Sequence, residues 1–166
     1  IDIPVGFLAH MLDLFAKHSQ FDITINAKGD HHIDDHHTVE DVGICLGQAL
    51  KVALADKKGI CRFSNVSIPM QETLADVAVD LSGRTAFVYN VKYNASKIGD
   101  FDVELIEEFL EAFTANAVLN LHVNVQYGAN AHHIVEAIFK GIAKALGKAV
   151  QINKGSKDVP STKGLL

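Results

Sequence analysis

Two five-residue motifs concentrate the chain's chemistry: His36-His37-Thr38-Val39-Glu40 and His132-His133-Ile134-Val135-Glu136. Both read H-H-x-x-E. Imidazole and carboxylate are nitrogen and oxygen donors for a divalent cation, and imidazole is also the usual acid-base group near neutral pH. Residues three and four apart share a helix face, so Glu40 is expected beside both His36 and His37, and Glu136 beside both His132 and His133. Each motif then reads as a three-ligand cluster. One such motif reads as readily as a surface turn; two of them in one chain shift the balance to metal binding.

Each motif opens an apolar helical stretch. The first continues through Val42, Leu46, Ala49 and Leu50, the second through Ile138, Ile142, Ala145 and Leu146, each predicting a helix of about fifteen residues with one apolar face. At a helix N-terminus the macrodipole favours carboxylate over cation, so neutral, ligating imidazoles fit there better than imidazolium.

The sequence preceding each motif also repeats. Phe7–Phe15 and Leu105–Phe113 are amphipathic helical stretches, and Phe21–Gly29 and Leu119–Gly128 alternate as strands before a loop into the motif. Setting Phe15 on Phe113 places His10 opposite Glu108, with 26 residues from His10 to His36 and 24 from Glu108 to His132. The unit occurs twice, which is gene duplication and not a solenoid array. Strands are also predicted over Val66–Met70, Leu74–Leu81 and Ala86–Val91. The expected fold class is α+β: two pseudo-symmetric repeats, about 1–93 and 94–166, each a mostly antiparallel or mixed sheet covered on one face by helices. A linker is expected near Asn94–Asp100 and a polar, helix-poor tail from Asn153.

Nine histidines in 166 residues is the one unusual count. A net charge of −5 argues against non-specific nucleic-acid binding, which rests on neutralising phosphates. No apolar run is long enough for a membrane span. Two cysteines, Cys45 and Cys61, form neither a disulfide framework nor a thiolate zinc site, and a cytoplasmic, reducing setting is expected.

Eight candidate ligands result: His10, His36, His37, Glu40, Glu108, His132, His133 and Glu136. With no thiolate among them, Mn²⁺ or Fe²⁺ in near-octahedral geometry fits better than structural Zn²⁺, and zinc stays a competitor. Eight donors serve two ions with positions left for substrate. Arg62 and Arg84 are the only arginines against thirteen lysines, which points weakly to use of the planar fork on phosphate; ordinary surface charge explains them about as well.

Taken together, Val5-Gly6-Phe7-Leu8-Ala9-His10-Met11, Ile33–Asp41, Ala78–Arg84, Ala131–Lys140 and Val159–Gly164 make the chain resemble the imidazoleglycerol-phosphate dehydratase family of histidine biosynthesis. The resemblance implies a hydro-lyase using two Mn²⁺ per active site, with Zn²⁺ or Fe²⁺ less expected. It converts imidazole glycerol phosphate to imidazole acetol phosphate through metal-bound imidazolate. The eight residues above become metal ligands, with Glu40, Glu136, His37 and His133 also bearing on catalysis. Arg62, Arg84, Lys140, Ser161 and Lys163 become phosphate holders, and the assembly a 24-subunit homo-oligomer built from trimers with sites between subunits. The family carries an upstream strand bearing a catalytic glutamate, and the chain is expected to lack that strand. Ala9 stands where the family usually has Asp or Asn, and Gln71 where it usually has Asp. His18 and His122 are expected to be scaffold, and His31-His32 a loop pair near the site. Two alternatives are an impaired relative that keeps metal-dependent assembly, and a binuclear hydrolase of a phosphorylated small molecule.

Overall fold

The computed structural model describes residues 1–153, 155 and 158–164. The expected tail falls partly outside them, at Lys154, Ser156, Lys157, Leu165 and Leu166. In chain order the elements are α1 (Gly6–Ser19), α2 (His36–Ala53), β1 (Phe63–Met70), β2 (Thr73–Asp80), β3 (Ala86–Asn90), β4 (Lys97–Ile98), β5 (Phe101–Asp102), α3 (Leu105–Ala117), β6 (Asn120–Tyr127) and α4 (Ala131–Ala149). The fold is α+β, as the periodicities predict.

A four-stranded mixed sheet runs in the order β1-β2-β6-β3, antiparallel except for the parallel pair β3–β6. Period-two alternation gives β2 two different faces: Thr73, Ala75, Val77 and Val79 are buried. They lie under α4, which packs on both β1 and β2. The other face is polar, with Asp76 accepting from Ser67 Oγ and, at 2.6 Å, from Gln126 Nε2. β1–β3, before the division expected near residue 93, join β6 beyond it, so the sheet is shared across that division. The expected linker holds the first strand of a small hairpin, β4–β5.

The predicted strand over Phe21–Gly29 does not form as a strand. The segment is extended and alternately half-buried, and its one bridge is parallel, Asp2 to Asn26. Asp2 N–H donates to the Ile25 carbonyl at 2.9 Å, and Ala27 N–H to that of Asp2 at 3.0 Å. Alternation gives a segment its faces, whereas a strand also needs a partner's backbone along its length. The corresponding strand of the second repeat, β6, has a complete parallel partner in β3, from before the division. A cleft of about 710 Å³ lies between this segment and α2, lined by Phe21, Ile23, Ile25, Val42, Leu46 and Leu50 among others. The corresponding face of α4 is covered by β1 and β2.

The helices pair across the repeats. α1 packs on α4 and α2 on α3, so the leading helix of each unit lies against the motif helix of the other. Glycine sets the separation within α2–α3. A Cβ at Gly43 would meet the Phe109 carbonyl oxygen at 2.7 Å, and one at Gly47 that of Phe113 at 2.5 Å. The ascending order of both contact sets makes the two helices parallel. Likewise Gly147 of α4 meets Ser19 at the end of α1, with a Cβ 2.7 Å from its carbonyl oxygen. Among the described residues no helix is long and apolar enough to cross a membrane.

Gly47→Ala forces a methyl onto helix backbone that has no rotamer to yield, and is expected to cost about 1–3 kcal/mol. At Gly6 an added Cβ has nothing within 4 Å, so Gly6→Ala should leave the melting temperature nearly unchanged. Thermal denaturation of the two variants side by side checks the contrast.

Candidate active site

Both motifs lie in the first turns of their helices, and an Asx side chain meets the first histidine's N–H in each: the N-cap Asn130 in α4, and Asp34, the residue before the N-cap Asp35, in α2. Asp34 Oδ1 accepts from His36 N–H at 2.9 Å, and Asn130 Oδ1 from His132 N–H at 2.9 Å. In each case an Asx side chain two residues upstream satisfies a free first-turn donor. The caps fix where each helix starts and therefore which way its histidines point.

His132 and Glu136 turn toward α1 and meet His10. One donor atom from each of the three lies within 4.8 Å of the others, the single such trio found among the described residues. The His132 Nε2 to Glu136 Oε2 distance is 3.4 Å, and the rings of His10 and His132 are 6.0 Å apart. Phe7, one turn before His10, packs edge-on to His132 at 5.3 Å. Partial burial pushes the Glu136 carboxyl up, but Lys140 Nζ, 2.6 Å from Oε1, together with His132 and His10, outweighs it and holds the group below its ordinary value.

His133 does not join this trio. Successive helical residues are about 100° apart, so adjacent histidines diverge, and His133 faces the β1–β2 turn instead. Its Nδ1 is 2.8 Å from Glu72 Oε2. His37 diverges in the same way, its Nδ1 lying 2.9 Å from Asp30 Oδ2. At the second motif the expected three-ligand face is therefore two residues of the motif plus His10 from the partner helix. In the other helix pair, Gly43 lies beside Phe109, which places Glu40 and Glu108 on neighbouring turns at the same end of α2 and α3 with His36.

All eight candidate ligands lie at one end of the molecule. β6 ends at Tyr127 beside Leu74, and α4 starts there; α3 runs antiparallel to β6, so its first turn is at the same end, and the parallel partners α1 and α2 follow. The anion candidates are at the other end. Arg62, Arg84, Ser161 and Lys163 line a cleft of about 690 Å³ together with Ser82, Gly83, Pro160 and Thr162, and among the described residues no carboxylate lines it. Arg62 is held there by three bonds: Nε and Nη2 donate to the two Asp80 carboxylate oxygens at 2.8 and 3.1 Å, and Nη1 to the Pro160 carbonyl at 2.9 Å. Lys140 is not in this cleft. It sits at the ligand end, on Glu136 and near Met70 Sδ at 3.5 Å.

The remaining histidines are spread out. His122 is exposed on the polar face of the sheet, while half-buried His18 is pushed below its ordinary value by burial and by Lys140 and Lys144. His31 Nδ1 donates to Asp35 Oδ1 at 2.7 Å, and among the described residues its buried Nε2 has no partner. Glu72, Asp30 and Asp80 were not singled out by sequence. Glu72 acts from 61 residues away, Asp80 on Arg62 from 18 and Asp30 on His37 from seven, and no helical or strand period marks such a pairing.

The family profile described as imidazoleglycerol-phosphate dehydratase matches residues 3–146. The imidazoleglycerol-phosphate dehydratase of Geobacillus kaustophilus is 57% identical over 166 residues, covering all of this chain and 85% of its own length. That of Bacillus subtilis is 54% identical, covering all of this chain and 86% of its own. The crystal structure of the Staphylococcus aureus enzyme superposes with a TM-score of 0.87 at 47% identity, over 92% of this chain and 86% of that one. The Pyrococcus furiosus structure gives 0.85 at 38% identity, over 100% and 89%. With the doubled motif, the paired helices and the basic cleft all in place, the chain belongs to the imidazoleglycerol-phosphate dehydratase family, the hydro-lyases of histidine biosynthesis.

Proposed function

We propose that the chain dehydrates imidazole glycerol phosphate to imidazole acetol phosphate in a Mn²⁺-dependent reaction, at sites formed where the ligand end of one copy meets the anion cleft of another. The separation of the two ends carries this reading. Arg62 precedes β1 and Glu72 follows it, so the eight-residue strand holds cleft and ligands about 25 Å apart. That span is far longer than an imidazole ring on a three-carbon phosphate ester. A single copy cannot grip both ends of such a substrate, and a homo-oligomer can.

At the ligand end, His10, His132 and Glu136 would hold one ion, and His36, Glu40 and Glu108 the other. His37 and His133, turned away from their own helix pairs, are available to ions held by a neighbour. Imidazoles and carboxylates without thiolate suit Mn²⁺, with Fe²⁺ and Zn²⁺ as competitors. When bound, the ions supply Lewis-acid charge that steadies negative charge on the substrate's ring as water is lost. Lys140 keeps Glu136 ionised, so no proton need leave that carboxylate before it serves as a donor. In the cleft, Arg84, Ser161 and Lys163 take the phosphate, while Arg62, held by Asp80, fixes the wall between the sheet and Pro160. Lys140 reaches the phosphate only where two copies meet. The reaction removes a proton and a hydroxide from neighbouring carbons, and the enol that results tautomerises to the ketone.

His10→Ala and Arg84→Ala are each expected to lower kcat/KM about 10²-fold or more, the effect of losing roughly 3 kcal/mol of charge stabilisation. Co-assembling the two inactive variants should restore part of the activity, because some interfaces then pair an intact ligand end with an intact cleft. Mixed assemblies as inactive as their parents would sink the shared-site reading.

Imidazole must be neutral to ligate, so manganese content and assembly are expected to fall together as the pH drops from about 6.5 to about 5. Elemental analysis and light scattering across that range measure both. Full occupancy at about pH 4.5 would argue against an imidazole-rich site.

A further inference from the structure

Two carboxylates outside the ligand set bear on the same small geometric problem. An imidazole offers two nitrogens on different sides of its ring, and in the neutral form one carries the proton while the other is bare. Only the bare one ligates. For His133 and His37, each turned away from its own helix pair, something must decide which nitrogen that is.

Glu72 is built to decide it for His133. It stands in the β1–β2 turn, and its Oε1 accepts from Asn130 N–H at 2.9 Å, from Ala129 N–H at 3.2 Å and from Thr73 Oγ1 at 3.3 Å. These contacts fix the carboxylate and leave Oε2 facing His133 Nδ1 at 2.8 Å. The carboxylate is an anion at neutral pH and can only accept. Nδ1 must then carry the proton, and Nε2 is bare and directed away from Glu72. Asp30 does the same for His37, with Oδ2 on Nδ1 at 2.9 Å. The two devices are not copies of one another: Glu72 comes from a distant turn and Asp30 from the loop seven residues upstream. His31 shows the contrast, since Asp35 sets its Nδ1 but its Nε2 is buried inside the chain.

We propose that Glu72 and Asp30 are positioning residues that fix the tautomer and ring direction of His133 and His37, presenting both Nε2 atoms as metal donors. This rests on the reading of those histidines as ligands. A carboxylate behind a ligating imidazole both orients it and raises its basicity, and its loss typically weakens metal binding by about 10–100-fold.

Glu72→Gln separates positioning from folding. The amide oxygen still caps Asn130 and Ala129, but the amide nitrogen now faces Nδ1 and donates to it, so the proton moves to Nε2 and that atom can no longer ligate. Mn²⁺ titrated onto the full-length variant and followed by electron paramagnetic resonance should bind about 10–100-fold more weakly than to the unaltered chain. The metal-free melting temperature should be nearly unchanged. Asp30→Asn should do the same at His37. Nitrogen-15 spectra of labelled histidine should show His133 protonated at Nδ1 in the unaltered chain and at Nε2 in Glu72→Gln, a change that a purely structural role of Glu72 would not produce. His133→Ala is the benchmark. If it loses Mn²⁺ while Glu72→Gln binds normally with an unaltered tautomer, positioning is overturned and the ligand reading stands. If His133→Ala also binds normally, the ligand reading itself falls, and positioning with it.

Discussion

Close, parallel packing of helices from different repeats is the constraint on which the site depends. α2 approaches α3 near enough that Gly43 and Gly47 have no room for a Cβ, and α4 approaches the end of α1 at Gly147 in the same way. Because each pair is parallel, the N-terminal turns come together, and these are the turns that carry His10, His36, Glu40, Glu108, His132 and Glu136. A wider spacing would pull His10 off His132 and Glu136. The glycines are not duplicated at matching positions, although the packing is. Each repeat therefore reached close approach by its own substitutions, and the duplicated feature is the geometry.

This pairing also explains why neither repeat is a unit of function. The leading helix of one lies against the motif helix of the other, so a half taken alone would hold His10 without His132, or Glu108 without His36. Among the described residues a single buried core runs through all four helices and the sheet. Cross-packing of this kind ties folding of the whole chain to the meeting of His10 with His132 and Glu136.

Much of this was legible in the sequence, and the limits are physical. Helical period and strand alternation located α1–α4 and β1, β2, β3 and β6, and the second H-H-x-x-E supplies two members of the trio His10, His132 and Glu136. The cross-pairing was not legible, because apolar faces at helical spacing do not say which other face they meet. Phe21–Gly29 had the alternation of a strand but only Asp2 to pair with, and hydrogen bonding is not a property of one segment. The idea of three ligands on one helix face failed on the angle between neighbouring residues, which sends His133 to Glu72 and His37 to Asp30. Those two carboxylates carry no helical or strand period that marks their partners, and Asp80, although inside Ala78–Arg84, shows in sequence no sign that it meets Arg62. Lys140 sat in a motif yet belongs to the ligand end, because one helical turn carries it back onto Glu136 and not down the helix to the cleft.

The two ends also differ electrostatically in a way that suits their contents. Four helix N-termini gather at the end that carries the doubled motif, and their partial positive charge is of the sign that favours a carboxylate over a cation in the first turn. Charged carboxylates and neutral imidazoles are what donors to a cation require. The cost falls at the opposite end, where the helices present C-terminal carbonyls and partial negative charge, unfavourable to an anion. There Arg62 N–H takes the Ala149 carbonyl at 2.8 Å, and Cys61 N–H that of Gln151 at 2.8 Å, covering the last turn of α4. With Arg62 neutralised by Asp80, the cationic surplus left in the cleft is Arg84 and Lys163. A cleft at the negative ends of helices needs that surplus to attract an anion at all, and among the described residues Arg84 and Lys163 stand there with no carboxylate lining the space between them.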